Sequence, residues 1–181
     1  MNKKIIIIFI TAILLACNFL FPQKPTSMPE SIARRTEAAS QSSESENLVS
    51  AGFTIVRLHP KGDLQTMLAN EAQKAIALKQ MPVVEFDATW CPPCQAIEAA
   101  IKSKNKLMLN AYRETYIIKL DVDEWRWKNG KVQDFHFNAI PVYFKLDSEG
   151  HQTDDVSDGG AWGEDIPENI APVMDEFFHG G

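Results

Sequence analysis

Trp90-Cys91-Pro92-Pro93-Cys94 constrains this chain more than any other stretch. Two cysteines separated by two residues, after a Trp and before a helical pattern, form a redox-motif candidate. Residues 82–87, Pro-Val-Val-Glu-Phe-Asp, predict a buried strand interrupted by Glu85 and Asp87. Residues 95–102 predict a helix, because Ala and Glu favour it and Ile97, Ala100 and Ile101 recur at helical spacing. The cysteines therefore sit where a strand hands over to a helix N-terminus.

That position has chemical consequences. Unpaired N–H groups and the partial positive charge of a helix start favour an anion. A Cys91 thiolate is such an anion, so its pKa is expected to be lowered. Pro92 and Pro93 suit the first turn, where a missing N–H removes no helix bond. Cys94 lies one turn further in, within reach of a mixed disulfide formed at Cys91. The motif reads as thiol–disulfide exchange chemistry. Two other readings stand beside it. Half of a structural zinc site needs further ligands, and the remaining Cys17, His59, His136, His151 and His179 lack ligand spacing. An inert structural disulfide needs only the pair itself.

The chain opens Met1-Asn2-Lys3-Lys4, and an apolar run of about 11 residues follows, too short to span a bilayer and right for a signal-peptide core. It ends Leu14-Leu15-Ala16-Cys17, which resembles a bacterial lipobox, in which cleavage before the Cys leaves that Cys carrying lipid. Residues 1–16 are thus expected to be a lipoprotein signal peptide, with Cys17 the lipidated residue. Loss of Lys3 and Lys4 takes the formal charge from −6 to −8. Such an acidic chain makes nucleic acid and anionic lipid surfaces poor electrostatic partners, so membrane attachment is expected through the acyl chains. Residues 22–50 are rich in Ser, Pro, Thr, Ala, Glu and Gln with few large apolar side chains, a composition that cannot order itself. Residues 17–50 read as the lipidated Cys and a flexible tether, with 32–39 a candidate fraying helix.

About 130 residues follow, enough for one domain with its own core. Residues 53–58 predict a strand, 59–62 a turn, and Asp63 the N-cap of a helix over 64–79. Residues 106–112 predict a short helix and 116–121 another buried strand. A short helix and loop are expected over 125–135, strands over 141–146 and 151–156 around a Ser148-Glu149-Gly150 turn, and a closing helix over 166–178. This order implies an α/β fold, a mixed sheet covered on both faces.

Val83-Val84-Glu85-Phe86-Asp87-Ala88-Thr89-Trp90-Cys91-Pro92-Pro93-Cys94 resembles the active-site segment of thioredoxin-fold proteins. Ala139-Ile140-Pro141-Val142 resembles their cis-proline segment, residues 117–123 their central strand, and Gly159-Gly160-Ala161 the turn before their last helix. The resemblance covers about residues 53–178 and implies a thioredoxin-like domain over 51–181, a central mixed β-sheet flanked by helices on both faces. It implies that Cys91 is the exposed nucleophile and Cys94 the resolving thiol. Trp90 is expected to pack beside the disulfide. Pro141 is expected to be cis and to place the Ile140 backbone against Cys91, where an incoming peptide can pair.

Glu85 stands where thioredoxins hold a buried acid behind the resolving cysteine, and Lys119 where they hold the lysine that accompanies it. A carboxyl in an apolar strand should have a raised pKa and can carry Cys94's proton, directly or through water. A plain structural ion pair is the alternative. Asp87, on the same strand face, replaces the aromatic common in the family and changes the field near Cys91. Trp125, Trp127, Phe135 and Phe137 fit core packing or a loop clasp better than a client groove. His136 reads as a surface residue. Asp154, Asp155, Asp158, Glu164 and Asp165 lack the regular spacing of a calcium loop and read as a solvated face.

The expectation is a membrane-tethered thiol–disulfide oxidoreductase of a bacterial cell envelope, facing the periplasm or cell exterior. It would reduce disulfides of exported proteins and draw electrons from an unidentified membrane donor. No metal or organic cofactor is implied, and no nucleic-acid partner. A disulfide-donating oxidase is one alternative, although oxidases of this fold usually carry a large helical insertion, for which the interval from Cys94 to Pro141 is short. An isomerase would need a dimerisation domain that the tether does not supply. A non-catalytic lipoprotein binding module with a structural disulfide is the alternative of another class.

Overall fold

The computed structural model describes residues 52–180. The signal peptide over 1–16, Cys17, the tether over 17–50 and the candidate helix over 32–39 lie outside the described residues. Strand β1, Thr54–Arg57, leads through a turn to α1, Leu64–Ala77, whose N-cap Asp63 accepts the Thr66 N–H at 2.8 Å. Strand β2, Met81–Asp87, runs into α2, Pro92–Lys102, and α3, Lys106–Ala111, follows. Strand β3 is Thr115–Asp121. After it come the two-residue strands β4, Lys131–Val132, and β5, Phe135–His136. Strands β6, Val142–Leu146, and β7, Gln152–Asp158, precede α4, Pro167–His179.

Five strands form one mixed sheet in the order β1-β3-β2-β6-β7, with β1, β3 and β2 parallel and β6 and β7 antiparallel. Alternation along each strand divides the core into two layers. Val84, Phe86, Ile118, Leu120 and Phe144 pack with Leu64, Leu68 and Ala75 of α1. Val83, Ile117 and Tyr143 pack on the opposite face with residues of α2, α3 and α4, among them Ile97, Met108, Ile170 and Phe178. The central strands β2 and β3 are buried on both faces, which explains their near-continuous apolar sequence.

Two register rows depart from that apolar rule: at the ends of β2 and β3 Asp87 stands opposite Asp121, and a longer row crosses the sheet. Across hydrogen-bonded neighbours, Arg57 stands opposite Lys119, Lys119 opposite Glu85, Glu85 opposite Tyr143 and Tyr143 opposite Ser157. Four polar side chains and one tyrosine thus cross the sheet, all on the face of α2, α3 and α4.

The helix expected within 125–135 is absent. In its place β4 pairs with β5, and Lys128 bridges Lys131 across Asn129-Gly130. Both turn residues have positive φ, 54° and 73°, as a tight hairpin of matching twist requires. Asn and Gly tolerate that conformation and are poor helix formers, so the turn wins over the helix. The aromatic residues of this segment pack into the core layer. Phe137 stacks on Trp127 at 5.2 Å and lies 4.6 Å from Phe86, while Phe135 contacts Phe86 and Phe144.

The turn between β6 and β7 is clamped to α1. Gln65 Nε2 donates to the Glu149 carbonyl at 3.1 Å and Gln73 Nε2 to the Ser148 carbonyl at 2.6 Å. Gly150, at φ 79°, sits so close that an added Cβ would meet the Ala69 nitrogen at 2.4 Å.

Candidate active site

Strand β2 ends at Asp87, and Ala88-Thr89-Trp90 carry the chain to Cys91, the N-cap of α2. Cys91 Sγ accepts the Cys94 backbone N–H at 3.3 Å, and Pro92 and Pro93 occupy the first helical positions. The sulfur thus uses one of the orphan donors of the helix start. Cys91 and Cys94 are joined by a disulfide with an S–S distance of 2.04 Å.

Two more loops meet the pair. The Ile140–Pro141 bond is cis, the isomer the resemblance implies, and the Ile140 carbonyl oxygen lies 3.7 Å from Cys91 Sγ. Beyond β7, Gly159 N–H donates to the Pro141 carbonyl at 3.0 Å. A Cβ at Gly159 would come within 3.2 Å of Pro141 Cδ, so only glycine lets this turn close on the proline without a shift.

The exposed nucleophile expected at Cys91 is corrected by the geometry. Cys91 is only 1% exposed and Cys94 3%, because the cap turns Sγ in over the helix end and the Ile140 segment closes on it. Trp90 is instead the open residue of the motif, 56% exposed, its ring fixed by a 2.8 Å hydrogen bond from Nε1 to Asp123 Oδ2.

Behind the motif lies a buried charge cluster. Glu85 and Lys119 face each other across β2 and β3, with Oε1 and Nζ 3.2 Å apart. That oxygen has no hydrogen-bond partner of good geometry. Burial pushes the Glu85 carboxyl above its ordinary value; the Lys119 charge opposes the shift without cancelling it, and Asp87 adds to it. Asp87 behaves differently. Burial acts against its charge, yet a two-pronged pair with Arg57, at 2.9 and 2.6 Å, and the Lys119 ammonium at 2.8 Å hold it below its ordinary value. For Lys119, burial disfavours the ammonium, and the two carboxylates outweigh it and raise the pKa. On the other side of Glu85, the hydroxyls of Tyr143 and Tyr112 meet at 3.1 Å. Burial, aided by the Glu85 charge, keeps both phenols protonated well above their ordinary value.

The structure therefore brings Trp90, Cys91, Cys94, Ile140 and Pro141 together where β2 ends and β6 begins, and sets Glu85 and Lys119 side by side in the core of the sheet. Sequence reasoning missed Arg57, Asp123 and the tyrosine pair. Arg57 had a signal, since Asp87 in a buried strand requires a cation and the preceding strand ends on one. The tyrosines had none, because their contact joins β6 to the end of α3. His136 is exposed, and Asp154, Asp155 and Asp158 lie on the exposed edge strand β7.

The family model described as Thioredoxin matches residues 64–171. A thioredoxin H-type from Picea mariana is 30% identical over 104 residues, which cover 58% of this chain and 75% of that protein. Thioredoxin H3 from Arabidopsis thaliana is 33% identical over 102 residues, covering 56% of this chain and 73% of that protein. Among solved structures, a thioredoxin from Trichomonas vaginalis matches with a TM-score of 0.44 and 26% identity, covering 68% of this chain and 96% of that one.

Proposed function

This chain belongs to the thioredoxin family and is a thiol–disulfide oxidoreductase; from that premise we propose that it works tethered to a membrane and reduces disulfides of exported proteins. The observation that carries the chemistry is Cys91 at a helix start, 3.7 Å from the Ile140 carbonyl. The tether and compartment rest on the Lys3-Lys4 start, the apolar run and Ala16-Cys17.

In the reducing direction, Cys91 thiolate attacks one sulfur of a client disulfide, forming a mixed disulfide and releasing the first client thiolate. The Ile140 backbone pairs with the client peptide and Trp90 flanks it. Cys94 then gives its proton to Glu85, directly or through water, and its thiolate attacks Cys91 Sγ. The Cys91–Cys94 disulfide forms, the second client thiolate leaves, and two electrons have passed to the client. Glu85 suits this task because it is buried and reluctant to stay ionised, while Lys119 stabilises it once it is. A membrane donor of unidentified nature must then return two electrons to the pair.

Direction is tested by equilibrating the pair with glutathione or dithiothreitol. A potential near about −270 mV, where thioredoxin lies, supports a reductant, and one near about −120 mV makes the chain a disulfide donor. The anchor is tested separately. Cys17→Ala should move the protein from the membrane fraction to the soluble one with its thiol chemistry intact, and unchanged partitioning would remove the tether from the proposal.

A further inference from the structure

Arg57 and Asp87 take no part in the route above, yet they make up half of the buried cluster. Arg57 is the open member, its side chain 35% exposed, whereas Asp87, Lys119 and Glu85 are buried at 5%, 9% and 2%. Lys119 is shared unevenly along this line. Its ammonium lies 2.8 Å from Asp87 Oδ2 and 3.2 Å from Glu85 Oε1, the oxygen without a well-aligned donor. Asp87 also holds Arg57 through both carboxylate oxygens. We propose that Arg57 and Asp87 are a positioning pair: Asp87 draws Lys119 away from Glu85, Arg57 limits that pull, and together they set the pH at which Glu85 takes up a proton.

The consequence for catalysis rests on the reading that Glu85 serves Cys94. Two carboxylates and two cations in one low-dielectric site cannot all be equally satisfied. Asp87 has three charged hydrogen-bonding contacts and remains the anion, so Glu85 is the member that neutralises. Charged and titratable groups on neighbouring elements also face the cluster: Asp121, opposite Asp87, adds a negative field at Arg57, and Glu98 feels the Lys119 and Arg57 charges, but neither hydrogen-bonds to the four. From β6, Tyr143 faces Glu85 with its hydroxyl held by Tyr112 at the end of α3, and both phenols stay neutral. From α2, Glu98 is already paired with Lys102. On β3, Asp121 accepts the backbone N–H of Asp123 at 2.9 Å.

The geometry makes a directional prediction that a simple salt bridge does not. Asp87→Asn removes a nearby negative charge and frees Lys119 for Glu85, so Glu85 should titrate lower. Arg57→Gln removes a positive charge and leaves Asp87 to lean harder on Lys119, so Glu85 should titrate higher. Both variants lose the same ion pair, yet the shifts have opposite sign. Each should be about one pH unit, a tenfold change in the ratio of ionised to neutral Glu85 at fixed pH.

The experiment is a carbon-13 carboxyl titration by NMR of the whole reduced chain, with the Glu85 signal identified by its loss in Glu85→Gln. Wild type, Arg57→Gln, Arg57→Lys and Asp87→Asn are compared, together with the pH dependence of the rate at which Cys94 resolves a mixed disulfide. Opposite shifts, with Arg57→Lys close to wild type, support the pair's role. Shifts of the same sign, or no shift, overturn it. Arg57 is partly solvent-exposed, so if Asp87→Asn fails to fold, the Arg57 variants decide alone: a downward or absent shift in Arg57→Gln overturns the proposal. If Glu85 moves as expected while the resolution rate keeps its pH profile, the positioning stands and the service of Glu85 to Cys94 falls.

Discussion

At Cys91 and Cys94 one local geometry sets the two sulfurs in different places. Cys91 spends its lone pairs on the Cys94 N–H at the helix cap, whereas Cys94 lies inside the first turn. Cys94→Ser is therefore expected to accumulate client mixed disulfides, visible on non-reducing gels, and Cys91→Ser to give none. Glu85→Gln should slow resolution by about a hundredfold, the lower range for losing a general base, and flatten its pH dependence above the ordinary carboxyl range, as stopped-flow rates across pH would show. Of these residues, the cysteines were legible from their spacing before a helix start, and Glu85 and Lys119 from the resemblance to thioredoxins. Arg57 was not assigned, since its partner lies 30 residues on and two strands away in the sheet. Long-range pairing of this kind leaves only an unbalanced buried charge as its trace in a sequence.

Among the elements, the strands and helices follow their apolar periodicity, and the one misread segment is instructive. Asn129-Gly130 is a strong hairpin signal, but the lysines that close it, Lys128 and Lys131, show no strand alternation. Trp125 and Trp127 did not separate helix from hairpin, because aromatic side chains fill a core from either backbone. The β6–β7 turn offers a sharper test. Gly150→Ala must put a methyl group against the Ala69 backbone at positive φ, so it should cost about 3 kcal/mol, measured by urea unfolding. A Gly150→Ala variant as stable as wild type would show that the turn can lift from α1.

For the whole molecule, the two carboxyls of the buried cluster, Glu85 and Asp87, give stability opposite slopes with pH. Glu85 has its pKa raised by folding, so the folded state binds its proton more tightly and stability falls as pH rises from the ordinary carboxyl value through the raised one. Asp87 has its pKa lowered, so its contribution is present above its ordinary value of 3.8 and is lost as pH falls through the folded value. Thermal unfolding of the oxidised protein should thus show greatest stability in mildly acid solution, with Glu85→Gln removing the alkaline slope and leaving the acid one. The fold was legible at this scale because a mixed sheet with two buried faces needs the apolar runs that 81–87 and 115–121 supply. The exposed edge strand β7 shows a different logic. Its acidic side chains and the register irregularity opposite Phe144 and Leu146 discourage another strand from adding there. Replacing Asp154 and Asp155 with Val should accordingly make the protein self-associate with concentration, as light scattering would report.

The polar row from Arg57 to Ser157 also acts as a proofreader of strand alignment. Side chains alternate with a period of two, so sliding β2 or β3 by one residue would turn Glu85 or Lys119 toward Leu64 and Leu68. An uncompensated charge there costs about several kcal/mol, comparable to the margin by which a domain of this size stays folded. The Lys119–Glu85 pairing across β2 and β3 therefore marks the one register in which both charges stay paired.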